Sequence, residues 1–206
     1  MKSKRGQETL ARILEEAVQY ASIQGLESLT IGNLSKTLDL SKSGLFGHFG
    51  SKLELQKFVV DAAQKVFREA VIEPAESMPF GKDRLLAVCT GWLNYLEHFR
   101  GGCFFAAATA EFDGRPGEVN DMLREIMTGW LKFLRREVIE AQKTGGLSPN
   151  LDPDQAVFEL QSIVMGANWF NQLLDDHTAL ARARTAIARL FDLEPENGGY
   201  THGRGF

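Results

Sequence analysis

Residues Leu40–Lys52 read LSKSGLFGHFGSK. Gly44, Gly47 and Gly50 suit a loop, but a loop that only closes a fold has no use for Phe46 and Phe49. The phenylalanines suit a core helix, where each glycine costs about 1 kcal/mol against alanine. The two demands meet in a segment that is short, tightly turned, apolar on one side and basic, through Lys42 and Lys52, on the other.

Outward from this stretch the punctuation is hydroxylic. Ser41 precedes KSGLFGH, Thr30 precedes IGNLSKTL, and Ser51 precedes KLELQKFVVDAAQKVFREAVI, which ends at Ile72. A serine or threonine in that place accepts a hydrogen bond from an otherwise unpaired amide of the first helical turn. Upstream, Leu10, Ile13, Leu14, Ala17, Val18 and Ala21 recur at three- and four-residue steps, so a first helix runs from Gln7 to the stop at Gly25. Two short helices joined by a tight turn after a longer one have the proportions of a helix-turn-helix. The second helix of such a pair enters a major groove about 12 Å wide. Leu45 and Phe49, four apart, would anchor it against Leu29, Ile31 and Leu34. Lys42 and Ser43 would then face the groove, with Gly44 letting the backbone approach. Ser41 and the helix start would offer amides to a phosphate, and Lys52 would do the same at the start of the next helix. The same spacing also suits a small helical cap whose basic residues are merely solvated.

The rest of the chain sustains the helical period. Pro74, Pro79 and Gly81 end the helix from Ser51. Further helices carry Leu85 to Leu96, then GGCFFAAATAEF, then Val119 to Leu134 up to TGG, then PDQAVFELQSIVMGANWFNQLLDD behind Asp152, and finally Leu180 to Leu193. No stretch alternates as a strand and no repeat period is present, so the expected fold is all-α. At 206 residues, 44% of them hydrophobic, the chain can bury a sizeable core. No apolar run approaches the twenty or so residues of a membrane span. The N-terminus has no apolar signal core, and Cys89 and Cys103 form neither a metal-ligand spacing nor a disulfide framework. These readings predict a cytoplasmic protein without metal or cofactor. The net charge is −4, yet residues 1–57 hold eight Lys/Arg against six Asp/Glu, a basic N-terminal segment on an acidic body.

The stretch Leu29–Leu55, LTIGNLSKTLDLSKSGLFGHFGSKLEL, resembles the DNA-binding signature of the TetR family of transcriptional regulators, with caps, turn, aromatic residue and closing Ser-Lys in order. The resemblance implies a three-helix DNA-binding domain over 1–50 and a larger helical domain for effector binding and dimerisation over 51–193. The glycine-rich residues 194–206 form a tail expected to be disordered. By position, Thr30 and Lys52 resemble phosphate-contacting residues. Lys42, Ser43, Gly44 and Leu45 resemble the groove-facing turn, and His48 a residue that reaches the DNA backbone. Phe46 departs from the tyrosine that many members carry there: without a hydroxyl, its contact is apolar or structural.

The resemblance further implies a homodimer built through the last two long helices. The helix from Asp154 to Leu174 agrees independently, since it is apolar on more than one stripe and needs partners on two sides. Val157, Phe158, Gly166 and Phe170 are the candidate interface residues; a central helix of a monomeric bundle fits the same pattern. An effector pocket is expected among Phe67, Trp92, Tyr95, Cys103, Phe104, Trp130, Asn168 and Trp169, with Glu111 as another polar candidate. Plain core packing is the competing role of each aromatic, and a buried inert thiol that of a Cys103 sensor. The expected function is a ligand-responsive repressor of a palindromic operator. An all-α enzyme using Glu111 and Asp113 or the LDDH run ending at His177 is a different class, as is a helical adaptor; no nucleophile–base pairing or phosphate loop supports the former.

Overall fold

The computed structural model describes residues 4–192; the expectation for the tail 194–206 lies outside the described residues. Helix α1 spans Lys4–Gln24, α2 Ile31–Leu38, α3 Lys42–Phe49, α4 Lys52–Phe67, α5 Glu73–Glu76, α6 Lys82–Tyr95, α7 Phe104–Phe112, α8 Glu118–Lys143, α9 Pro153–Leu174 and α10 Ala179–Leu190. There is no strand among the described residues. The helices fall into two compact units, one made of the chain up to Glu69 with Glu97–Gly129, the other of Ala70–Leu96 with the chain from Trp130 onward.

In the first unit α1 packs on α4 and α7, while α2 and α3 pack on each other and α3 on α4. The stripe Ile13, Ala17, Val18 and Ala21 is buried, and α4 answers with Leu55, Val59, Val60, Ala63 and Phe67. Gly25 closes α1 with a left-handed φ of 84°, donating its N–H to Ala21 at 3.0 Å. The following strandless run to Ile72 was expected to be one continuous α-helix from Ser51. Instead the α-helix stops at Phe67 and Arg68–Ile72 forms a π-helical turn. Pro74 explains the difference: it has no N–H, and its ring crowds the carbonyl four residues back, at Ala70. The backbone widens there rather than breaking, and a short helix carries Pro74 in its first turn.

In the second unit α10 packs against α9 and α6, and α5 against α6. Asp152 caps α9 by accepting from the Asp154 N–H at 2.9 Å, with Pro153 in the first turn. The core includes Leu85, Val88, Trp92, Leu134, Val138, Leu160 and Val164. Arg84 of α6 and Glu137 of α8 form a buried ion pair, and Arg84 also donates to the carbonyls of Glu76 and Met78. The last helix ends at Leu190, short of the expected Leu193.

Candidate nucleic-acid interface

The helix-turn-helix is assembled from three hydroxyl caps. Thr30 Oγ1 accepts from Asn33 N–H at 3.0 Å, Ser41 Oγ from Gly44 N–H at 3.1 Å, and Ser51 Oγ from Glu54 N–H at 3.1 Å. Asp39, at a left-handed φ of 52°, turns the chain between α2 and α3. Leu45 and Phe49 are buried together with Leu29 and Leu34, and the Phe49 ring meets Phe58 of α4 edge-on at 5.6 Å. Half of α3 is thereby fixed to the body and the other half is left outward.

Lys42, Ser43, Gly44 and Phe46 lie on that outward half. Phe46 is 60% exposed, so its ring is not part of the core. Gly44 has a local reason beyond access: a Cβ there would stand 3.0 Å from the Ser41 hydroxyl that caps the helix. His48 is half-buried, its ring 6.1 Å from that of Phe49.

Lys52 begins α4 as expected, but it is held. Its Nζ donates to Glu27 Oε1 at 2.5 Å, and Gln56 Nε2 donates to Glu27 Oε2 at 3.4 Å and to the Leu26 carbonyl at 3.0 Å. The hydrogen bond from Lys52 keeps the Glu27 carboxyl below its ordinary pKa. Glu111, at the end of α7, accepts from the backbone amides of Leu26 and Glu27 at 2.8 and 3.2 Å. A side chain on Gly25 would run into that carboxylate. Glu111, considered above for the effector pocket, therefore secures the loop between α1 and α2. Nothing local in the sequence marks this contact, because its partners lie more than eighty positions apart.

The expected pocket residues divide between the units. Phe67, Cys103 and Phe104 belong to the first, where Phe67 and Phe104 each pack edge-on against Phe105. Trp92, Tyr95, Trp130, Asn168 and Trp169 belong to the second. Trp92 and Trp130 meet edge-on with centroids 4.9 Å apart, and Tyr95 is buried. Trp169, by contrast, is 51% exposed and lies outward on α9. Among the interface candidates Val157 is buried within its own unit, while Phe158 is 67% exposed and Gly166 opens onto empty space. Phe170 is intermediate. A helix apolar on several sides leaves these roles ambiguous in sequence; packing by α10 settles which stripe is covered. Both cysteines are buried, and burial pushes the Cys89 thiol up to about 12 and raises that of Cys103. No helix among the described residues is long and apolar enough to cross a membrane.

A helix-turn-helix with a capped, half-exposed second helix at the start of an all-α chain defines a class of DNA-binding regulators, and comparison with known proteins gives the family. Residues 81–187 match the model of the tetracyclin repressor-like C-terminal domain. The chain belongs to the TetR family of transcriptional regulators and is not an enzyme. Among solved structures, a TetR regulator from Chloroflexus aurantiacus superposes with a TM-score of 0.81 at 24% identity, over 91% of this chain and 96% of that one. A TetR-family regulator from Streptomyces coelicolor gives 0.76 at 20% identity, over 90% and 95%. The regulator AibR, solved in complex with isovaleryl coenzyme A and operator DNA, gives 0.71 at 18%, over 89% and 98%. Among curated protein sequences, none matches the chain.

Proposed function

We propose that this protein is a cytoplasmic, ligand-responsive repressor that binds a palindromic operator as a homodimer and leaves it when a small, largely apolar effector binds. The observation that carries the reading is the outward half of α3, where Lys42, Ser43 and Phe46 are exposed opposite the buried Leu45 and Phe49. In this reading residues 1–50 contact DNA, Thr30, Ser41, His48 and Lys52 approach phosphates, and residues 51–193 serve effector binding and dimerisation. AibR, with its acyl coenzyme A and operator, is a precedent in the same fold for both partners.

The dimer is supported by α9. Phe158, Trp169 and Leu173 fall on one face by helical spacing and are each more than half exposed, with Gly166 leaving room beside them. Such a row of large apolar side chains is a costly surface for a monomer. Trp169 goes with this face rather than with an enclosed cavity. For the effector we retain the aromatic core around Trp92, Tyr95 and Trp130, all within the second unit, with Asn168 of the same unit as a polar contact. The test is to sequence the duplex fragments retained by the purified protein. A palindrome with half-sites about one helical turn or more apart supports the reading; salt-independent or absent retention refutes it.

A further inference from the structure

Glu27 faces two cations and one amide. Besides Lys52 and Gln56, its Oε2 lies 4.0 Å from Nη1 of Arg115. All three charged groups are partly open to solvent, with side-chain exposures of 40% for Lys52, 44% for Glu27 and 56% for Arg115. Arg115 sits in the turn that closes α7, its N–H donating to the Phe112 carbonyl at 3.0 Å. One turn earlier, Glu111 fixes the backbone of Glu27 itself. The end of α7 thus holds the loop carrying Glu27 by its amides and stands beside its carboxylate with a positive charge.

We propose that Glu27 is an intramolecular stand-in for a DNA phosphate at Lys52, and that Arg115 is the cation that takes Glu27 over when Lys52 turns to DNA. This rests on the DNA-binding reading of α2–α4. A carboxylate offers an ammonium group the same paired oxygens that a phosphate does. While Lys52 is so paired its charge is cancelled, and it contributes little to the counterion release that drives phosphate binding. Moving Lys52 to a phosphate alone would strand an anion beside the DNA. With Arg115 already at 4.0 Å and Gln56 donating from below, Glu27 keeps a partner after the exchange. Partly exposed ion pairs are individually weak, so the exchange is close to balanced. A displacement of the α7 end that withdraws Arg115 tips it back and returns Lys52 to Glu27.

The experiment uses the full chain with Glu27→Gln, Arg115→Ala and the double variant. Binding to a duplex of arbitrary sequence is followed by fluorescence anisotropy over a range of salt, with a thermal melt of each protein. Glu27→Gln is expected to bind about three- to fivefold more tightly at low salt, the scale of an exposed pair. Its salt dependence should steepen by up to about 0.9 in log–log slope, one phosphate's worth. Arg115→Ala should weaken the parent protein by a similar factor and do nothing in the Glu27→Gln background, a non-additivity that marks a shared partner. Unchanged or weaker binding by folded Glu27→Gln overturns the proposal. An Arg115→Ala loss that persists undiminished in the double variant does so too, since Arg115 would then touch DNA directly. A parent protein without salt-dependent duplex binding overturns the DNA-binding reading as well.

Discussion

Arg84 and Glu137 are joined side by side: Nε donates to Oε2 at 2.7 Å and Nη2 to Oε1 at 2.9 Å, with both side chains almost wholly buried. Arg136 donates to the same carboxylate at 2.8 Å, and the Phe80 ring lies 4.2 Å below the Arg84 guanidinium. Removing Arg84 leaves the buried Glu137 with the half-exposed Arg136 as its remaining counter-charge, which costs toward the lower end of the about 3–5 kcal/mol of a broken buried pair. Arg84→Met is therefore expected to lose that much in denaturant unfolding. The double variant Arg84→Met, Glu137→Leu should recover most of it, because a well-packed apolar pair replaces the ion pair without stranding a charge. A double variant as unstable as the single one would refute this account.

At the proposed DNA-facing surface, Lys52→Ala should weaken binding to every sequence and flatten the salt slope by the part of one phosphate's worth that Glu27 leaves to Lys52. This flattening and the steepening in Glu27→Gln should together amount to about one phosphate. Lys42→Ala and Ser43→Ala should in addition change which fragments are retained, since these side chains lie on the outward half of α3. Competition anisotropy with specific and arbitrary duplexes separates the two behaviours. Equal losses for all three variants on all sequences would count against groove reading by α3.

For assembly, Phe158→Glu places a charge at the most exposed large apolar side chain of α9. Central interface positions typically cost about 2 kcal/mol or more when lost, roughly thirtyfold in Kd. Sedimentation at micromolar concentration is expected to show a dimer for the parent and a shift toward monomer for the variant. Operator affinity should fall in parallel, while the melting temperature of the monomer unit changes little.

For the effector, Trp92→Ala distinguishes a pocket wall from a core residue. As core alone it costs about 3–5 kcal/mol, and operator binding and effector response fall together. As a wall it alters the response to effector and leaves effector-free operator binding near the parent value. Thermal stability, operator affinity and effector-induced release measured on this one variant decide the matter.

The thiols give a pH prediction. Burial disfavours the thiolate, so the folded Cys89 value of about 12 stands above the ordinary 9.0. The native chain then holds a proton that the unfolded chain releases. The resulting stability is complete below about pH 9 and is lost as pH rises toward 12. At pH 8 a maleimide or disulfide reagent should label neither cysteine in the native protein and both after unfolding. Rapid native labelling of Cys103 would revive its role as a sensor.

Much of the helix-turn-helix was legible because its determinants are local. Thr30, Ser41 and Ser51 cap helices that begin at the next residue, Gly25 ends one, and the four-residue step from Leu45 to Phe49 defines a buried side. What escaped was what the fold brings together from afar. Glu111 reaches Leu26 across 85 positions and Arg84 reaches Glu137 across 53, and neither pair leaves a periodic trace. The π-helical turn escaped for another reason: Pro74 announces a disruption, but whether the helix breaks or widens depends on tertiary packing. Likewise Trp169 and Val157 both belong to apolar stripes of α9, and only the helices packed on it determine which stripe is covered.

The three caps of the helix-turn-helix segment are neutral hydroxyls, bonded to amides at 3.0–3.1 Å. Dissolved ions screen charge–charge attraction over a length of about 10 Å at 0.1 M, beyond which little of it survives, but they have little purchase on a hydroxyl bonded to a peptide N–H. Ionic strength that strips the protein from a duplex therefore leaves the starts of α2, α3 and α4 closed. Immobilised protein loaded with a fragment library, washed with concentrated salt and returned to dilute buffer should regain its full capacity, so that successive rounds of enrichment can be run on one and the same column.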